Sequence, residues 1–380
     1  MALDSFKRLL TRAGREELRK ETPLNKPSTD TEKQELEERK QVPVAEVLNE
    51  VIYVNPAFEN PDFFHSSPHP LRVGQPTTLG IFAGQVAPEQ TGRKQRTAEG
   101  THGHHRSLIL GHGIFRDDGG RLYRDVDAKG IGFLPPTIDG VISASPIERG
   151  GPTQGMLGIF ERGMAERDAS LAEEFISRGI RTYRVIAITK LDELVDDGKR
   201  YPIDEAKRRG IIPDECEPVI SIRAFGTRDR IRDISYHTSS KSIDAARLLV
   251  AQELGRDPQE FGRKEYFHWF VETLAENVAR MHKAHLVHGY LTSHNITLDC
   301  RIVDLDSVHP GPEIYISDIL EQLKKLNFGN PTGPNPYSND LFEAIDSLGC
   351  LDLQTPRGPD SSNWLTDFKK KYSQILETTS

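Results

Sequence analysis

One stretch, His288 to Asp306, reads HGYLTSHNITLDCRIVDLD and narrows the choice of fold more than any other part of the chain. A long segment, EYFHWFVETLAENVARMHKAHLV, runs straight into it, and its apolar residues recur at helical spacing. After that helix come an amide side chain, Asn295, a short apolar run, and the acids Asp304 and Asp306. An amide oxygen on a loop and a carboxylate at the end of the next strand, nine residues on, are hard oxygen donors that can jointly hold Mg2+ against phosphate oxygens.

This layout resembles the metal-nucleotide site of the kinase-like superfamily, whose template is HxDxxxxN followed by DFG or DxD. His288, Asn295 and Asp304 fit it, whereas Tyr290 stands where that template has its catalytic Asp. The expected fold is α+β: a two-lobed, protein-kinase-like chain with a β-rich N-lobe and a mostly helical C-lobe. Residues 1–45 read as a charged extension or linker, 46–235 as the nucleotide-binding lobe and 236–380 as the helical lobe.

With 380 residues, 36% of them apolar and 28% charged, the chain has material for two such lobes. A net charge of -8 without a dominant basic block argues against nucleic acid as a partner. Cys216, Cys300 and Cys350 are far apart and odd in number, which suggests neither a disulfide framework nor a zinc knuckle and points to a cytoplasmic setting. No apolar run reaches bilayer-spanning length, so no membrane partner is expected.

Short apolar runs at Ser107–Leu110 and Leu122–Ala128 flank the turn DDGG and predict a β-hairpin, preceded by a glycine- and histidine-rich loop. Gly100 and Gly103 in that region would let backbone N–H groups approach phosphates. His102, His104 and His105 lack the partner spacing of a metal site and read as solvated loop. Lys129 closes the second strand of the hairpin, where an ammonium can meet phosphate if an acid holds it. The run GIFERGMAERDASLAEEFISRG supplies such an acid. Phe160, Met164, Leu171 and Phe175 form a helical stripe, Gly179 ends it, and 100° per residue places Asp168 inside that stripe while Glu166 and Glu173 point away. An acid on an apolar face calls for a partner, and Lys129 is the expected one. TYRVIAITKL and PVISIRAF read as strands, and after the second come Arg223 and Arg230, whose guanidiniums suit bidentate contact with terminal phosphate oxygens. Helices are expected at Asp244–Leu254, at Glu265–Ala284, and in PEIYISDILEQLKKL and NWLTDFKKKYSQIL.

Taken in order, these motifs resemble the selenoprotein O family of kinase-fold protein adenylyltransferases. GHHRSLILGHGIFRDDGGRLYRDVDAKGIG is similar to that family's GDGRAxLLGE hairpin and LKGAG strand; RAFGTRDR keeps its two arginines seven residues apart; His288 to Asn295 and Asp304 answer its HGxxxTDN and DYG. Three departures stand out: Asp168 where the family has a glutamate, His294 where it has an Asp beside the metal-binding Asn, and no counterpart in SQILETTS of the family's redox-active cysteine or selenocysteine. The resemblance implies transfer of AMP from ATP to a protein hydroxyl with Mg2+ (or Mn2+). Lys129, Arg223, Arg230 and Gly103 would meet the nucleotide, and Asp168 would position Lys129. Asn295, Asp304 and Asp306 would hold metal, and His294 or Asp306 would assist proton removal. Two other readings stay open: phosphotransfer to a protein or small-molecule hydroxyl, to which the Asp-Leu-Asp ending is equally suited, and a non-catalytic pseudokinase that binds a partner.

Overall fold

The computed structural model describes residues 41–58, 71–84, 86, 95–100, 107–117, 119–132, 148–149, 156–236, 240–325, 335–354 and 364–378. Gly103 and the histidines at 102, 104 and 105 lie outside them. The chain has a sheet lobe and a helical lobe, the α+β, two-lobed arrangement expected from the sequence.

Nine strands build the sheet: β1 (Gln41–Glu46), β2 (Asn49–Val54), β3 (Ile81–Ala83), β4 (Gln95–Gly100), β5 (Ser107–Arg116), β6 (Leu122–Lys129), β7 (Phe160–Glu161), β8 (Arg184–Leu191) and β9 (Pro218–Phe225). Their order is β2-β8-β9-β6-β5-β4-β1-β3, with β7 on β9. Every pairing is antiparallel. The sheet therefore begins at Gln41, earlier than residue 46, where the sequence places the start of the lobe. The predicted hairpin is β5–β6, closed where Asp117 and Arg121 exchange a backbone hydrogen bond of 3.1 Å and Gly120 takes a φ of 78°.

β9 is buried along its whole length because both of its faces are covered. Ile220, Ile222 and Ala224 face one apolar core with Val44, Phe82, Leu108 and Ala128; Val219 and Phe225 face a second core that continues into the helical lobe. Helix α1 (Arg162–Ser177) lies on that second face with Ala165, Asp168, Ala169, Ala172 and Phe175 buried. Met164, assigned to the stripe from the sequence, is 46% exposed, because the alanines rather than the longer side chains let the helix approach the sheet. Between β8 and β9 the charged stretch forms a small hairpin, Glu193–Asp196 with Lys199–Pro202, and a short helix, Ile203–Arg208.

The helical lobe comprises α2 (Ser240–Glu253), α3 (Arg263–Lys283), α4 (Ile316–Lys325), α5 (Pro336–Gln354) and α6 (Trp364–Glu377). Helix α3 buries Phe267, Phe270, Val271, Leu274 and Val278 against this core and delivers the chain to His288. Among the described residues no helix is long and apolar enough to cross a membrane. The lobes are joined behind the cleft by Arg301, which has no solvent exposure. Its guanidinium donates to the carbonyls of Leu122 (2.5 Å) and Thr182 (2.8 Å), pairs with Asp299 at 2.6 Å and lies 4.4 Å from the Tyr123 ring centre.

Candidate active site

The loop after α3 is held by two acids of α5. Both oxygens of Asp340, which is fully buried, accept backbone N–H groups, from His288 at 2.7 Å and Gly289 at 2.9 Å. Three residues on along the helix, the Glu343 carboxylate accepts from the backbone of Leu291; burial, with Asp340 nearby, pushes its pKa up to about 7. His288 sits beneath the loop with Nε2 donating to the Val303 carbonyl at 2.9 Å, and burial lowers its pKa, keeping the ring neutral. Tyr290 extends from this loop 62% exposed.

From Asn295 the chain makes a tight hairpin. Ile296 bridges to Ile302, Cys300 turns at a φ of 59°, and Val303 N–H donates to the Asn295 carbonyl at 2.9 Å. The nine-residue separation thus closes into adjacency, which places Asn295 beside the residue that precedes Asp304. Asp304 takes a left-handed conformation (φ 66°, ψ 50°) and opens a single helical turn, with Ser307 donating its hydroxyl to the Asp304 carbonyl at 2.8 Å. Arg167 of α1 reaches across to the Asp306 carbonyl at 3.2 Å and to that of Val308, tying the helix to the acid loop.

Lys129 arrives from the sheet lobe. Its ammonium lies 3.7 Å from Asp304 Oδ1 and 3.4 Å from Asp306 Oδ2, over the Phe160 ring at 4.3 Å. Gly130, at φ 95°, lets the chain leave β6 hard against β9 and β7: a Cβ there would stand 2.4 Å from the Val219 carbonyl oxygen. Burial alone would raise the Asp304 pKa, but Lys129, then Arg230 and Arg223, hold it well below the usual carboxylate range. Two carboxylates already share one cation here, with an amide oxygen nearby. As a donor set, Asp304, Asp306 and Asn295 suit a hard divalent ion. Among the described residues no group of three or more His, Cys, Asp or Glu side chains forms a metal cluster, so any such ion would draw on Asn295 and on ligand oxygens.

Asp168 occupies the buried position predicted for it, yet its hydrogen bond comes from the Tyr183 hydroxyl. Its Oδ2 is buried without a hydrogen-bond partner, while the Lys129 ammonium is engaged by Asp304 and Asp306. Burial raises the Asp168 pKa against the pull of Lys129 and Arg223. His294 turns its Nδ1 to Arg232 Nη1 at 3.0 Å; burial, then Arg232 and Arg230, depress its pKa to about 4. It is unprotonated near neutrality, and a group of that pKa is a weak base.

The two spaced arginines divide. Arg230 donates to the Asn295 Oδ1 at 3.3 Å and to the His294 carbonyl, and its Nε has no partner. Burial, then the charge of Arg228, lower its pKa to about 9. Arg223 lies directly across the ladder from Asp127 and is bound by it through both oxygens, at 3.0 and 2.8 Å. Burial would lower its pKa, but Asp127 raises it above the usual guanidinium value. Asp127, Asp340, Glu343, Tyr183 and Arg228 were not singled out from the sequence. The signal for Asp340 was available in PYSNDLFEAIDSLG, where it falls between Tyr337 and Ala344 on an apolar helical face, as Asp168 does on its own helix.

No known protein family matches this chain, and none of the curated proteins does. Among solved structures it is similar to a Toxoplasma gondii specific rhoptry antigen kinase domain, at 10% identity and a TM-score of 0.33, covering 76% of each chain. So slight a likeness supports no residue-level comparison.

Proposed function

We propose that this protein is a Mg2+-dependent, ATP-using transferase that moves AMP to a protein hydroxyl. The observation that carries the ATP-using part is the meeting of Lys129 from one lobe with Asp304 and Asp306 from the other, at 3.7 and 3.4 Å, beside Asn295 and Arg230. A cation between paired acids, with a guanidinium next to them, is a site for neutralising phosphate charge. Asp304 and Asp306, with Asn295, would hold the metal, which supplies charge neutralisation on the phosphate oxygens when bound. Lys129 and Arg230 would orient those oxygens. Position 290 is an exposed tyrosine and His294 is held neutral at a pKa of about 4, so this chain has no strong base there. Phosphoryl-type transfer depends mainly on positioning and electrostatics, which fits such a site. The choice of AMP as the transferred group rests on the resemblance of the ordered motifs to selenoprotein O.

One feature favours a second reading, γ-phosphate transfer: Asp306, the second acid of Asp-Leu-Asp, reaches Lys129 as Asp304 does. The two reactions leave different products, pyrophosphate for AMP transfer and ADP for phosphate transfer. Incubation with ATP labelled at the α or the γ position, with wild type and Asp304→Ala, tests both. The expected result is α-label on an acceptor protein with wild type and none with the variant. Label from the γ position alone establishes the second reading, and transfer unaffected by Asp304→Ala removes this site from the reaction.

A further inference from the structure

On β6 the residues Asp125, Asp127 and Lys129 alternate with Val126 and Ala128, so the two acids and the lysine share one face. That face is enclosed instead of facing water: Asp125, Asp127 and Lys129 are all buried. Asp127 has no solvent exposure and grips Arg223 with both oxygens; its Oδ2 also lies 3.0 Å from Arg228 Nη2. One carboxylate flanked by two guanidiniums reproduces the contacts that two arginines make around a phosphate.

The compensation is only partial. Arg228 is 6% exposed, and none of its Nε, Nη1 and Nη2 atoms makes a well-aligned hydrogen bond; Arg230 Nε is in the same condition. At Arg228 the compensating charge is Asp127, 3.0 Å from Nη2, whereas the Arg230 Nε is the buried donor at which a ligand oxygen belongs. The cluster adjoins the Lys129 acids, since Arg230 and Arg223 both act electrostatically on Asp304.

We propose that Asp127 is a specificity-determining residue, an internal carboxylate that occupies Arg223 and Arg228 and leaves Arg230, with the Lys129 ammonium once it parts from Asp304 and Asp306, to meet an entering polyphosphate. The cleft thereby accepts less anionic charge than its four cations would otherwise take, and it discriminates weakly between a nucleoside triphosphate and a diphosphate. This rests on reading the cleft as a nucleotide site. Asp127→Asn keeps the side chain's size and one acceptor oxygen but removes the charge, so a ligand phosphate would then have two more guanidiniums to meet.

The test is calorimetric titration of the full chain with ATP, ADP and inorganic pyrophosphate in the presence of Mg2+. Asp127→Asn is expected to bind ATP and pyrophosphate at least tenfold more tightly than wild type and to widen the preference for ATP over ADP. A merely structural role for Asp127 would give the opposite, and equal or weaker ATP binding by the folded variant overturns the proposal. Should that variant not fold, Arg228→Gln serves. With Asp127 present, its ATP affinity is expected within threefold of wild type, and a larger loss overturns the proposal. Failure of the nucleotide reading looks different: wild type shows no Mg2+-dependent ATP binding, while Asp127→Asn still gains pyrophosphate affinity.

Discussion

Asp340→Asn weakens the contact that holds the candidate catalytic loop, together with the 3.4 Å approach of Asp340 Oδ2 to His282 Nε2. Asparagine preserves the volume of a fully buried side chain but offers one acceptor oxygen to two N–H donors, those of His288 and Gly289 at 2.7 and 2.9 Å. Its NH2 group must face the other N–H. Losing one charge-assisted bond, ~1.5–3 kcal/mol, and leaving a buried N–H unsatisfied, ~1–3 kcal/mol, sum to about 2.5–6 kcal/mol. The chain's two tryptophans, Trp269 on α3 and Trp364 on α6, both belong to the helical lobe, so their fluorescence reports its unfolding. With a urea m-value of about 3 kcal/mol/M, the midpoint is expected to fall by roughly 0.8–2 M. A fall of less than about 0.3 M would refute the view that Asp340 carries the loop.

Glu343 makes helical-lobe stability depend on pH in the opposite sense to a salt-bridged acid. Its folded pKa, about 7, lies above the unfolded value, so its contribution is full below pH ~4.5 and is lost as pH rises through 7. With the side chain partly solvated, the loss is on the order of 1–2 kcal/mol, and Glu343→Gln should abolish that slope in urea titrations at pH 5 and pH 8. His294 is expected to titrate near 4 in an NMR pH series, with Arg232→Ala moving it upward; no movement would mean that Arg232 does not set it. Gly130→Ala would overlap the Val219 carbonyl and the Phe160 Cβ at a φ of 95°. A destabilisation of about 2–4 kcal/mol in urea unfolding is expected from strain and overpacking, and a neutral substitution would contradict the close approach of the chain after β6 to β9 and β7.

The elements most legible in the sequence were those whose periodicity had one cause. The β5–β6 hairpin, α1, β8, β9 and α3 all follow from apolar spacing bounded by turn residues. Helix α5 escaped because no motif drew attention to it, although its apolar stripe is regular, and with it went Asp340 and Glu343. Asp168 was placed correctly on a buried face, but a sequence cannot say which neighbour comes nearest; Tyr183, fifteen residues on, takes one oxygen. The clearest lesson is DVDAK. Alternation of polar and apolar residues normally marks a strand with one face in water, and only the packing of the lobes reveals that this polar face is enclosed. For the same reason Arg223 reads in the sequence as free to meet a ligand, while its cross-strand neighbour Asp127 already holds it.

Arg301 has a mechanical consequence. Its guanidinium ties the Asp299–Arg301 turn to two backbone carbonyls of the sheet lobe, and α2 adds a second tie where Glu253 accepts the Leu122 N–H at 2.9 Å. At the candidate site the acid loop is held by the longer contacts of Lys129 with Asp304 and Asp306, at 3.7 and 3.4 Å, and by Arg167 of α1, which donates to the Asp306 and Val308 carbonyls. The acid loop is thus fastened twice, through its side chains to one flexible ammonium and through its backbone to a helix. A ligand that displaces the ammonium from Asp304 and Asp306 therefore meets an acid loop still anchored by Arg167, so exchange at Lys129 does not release the loop.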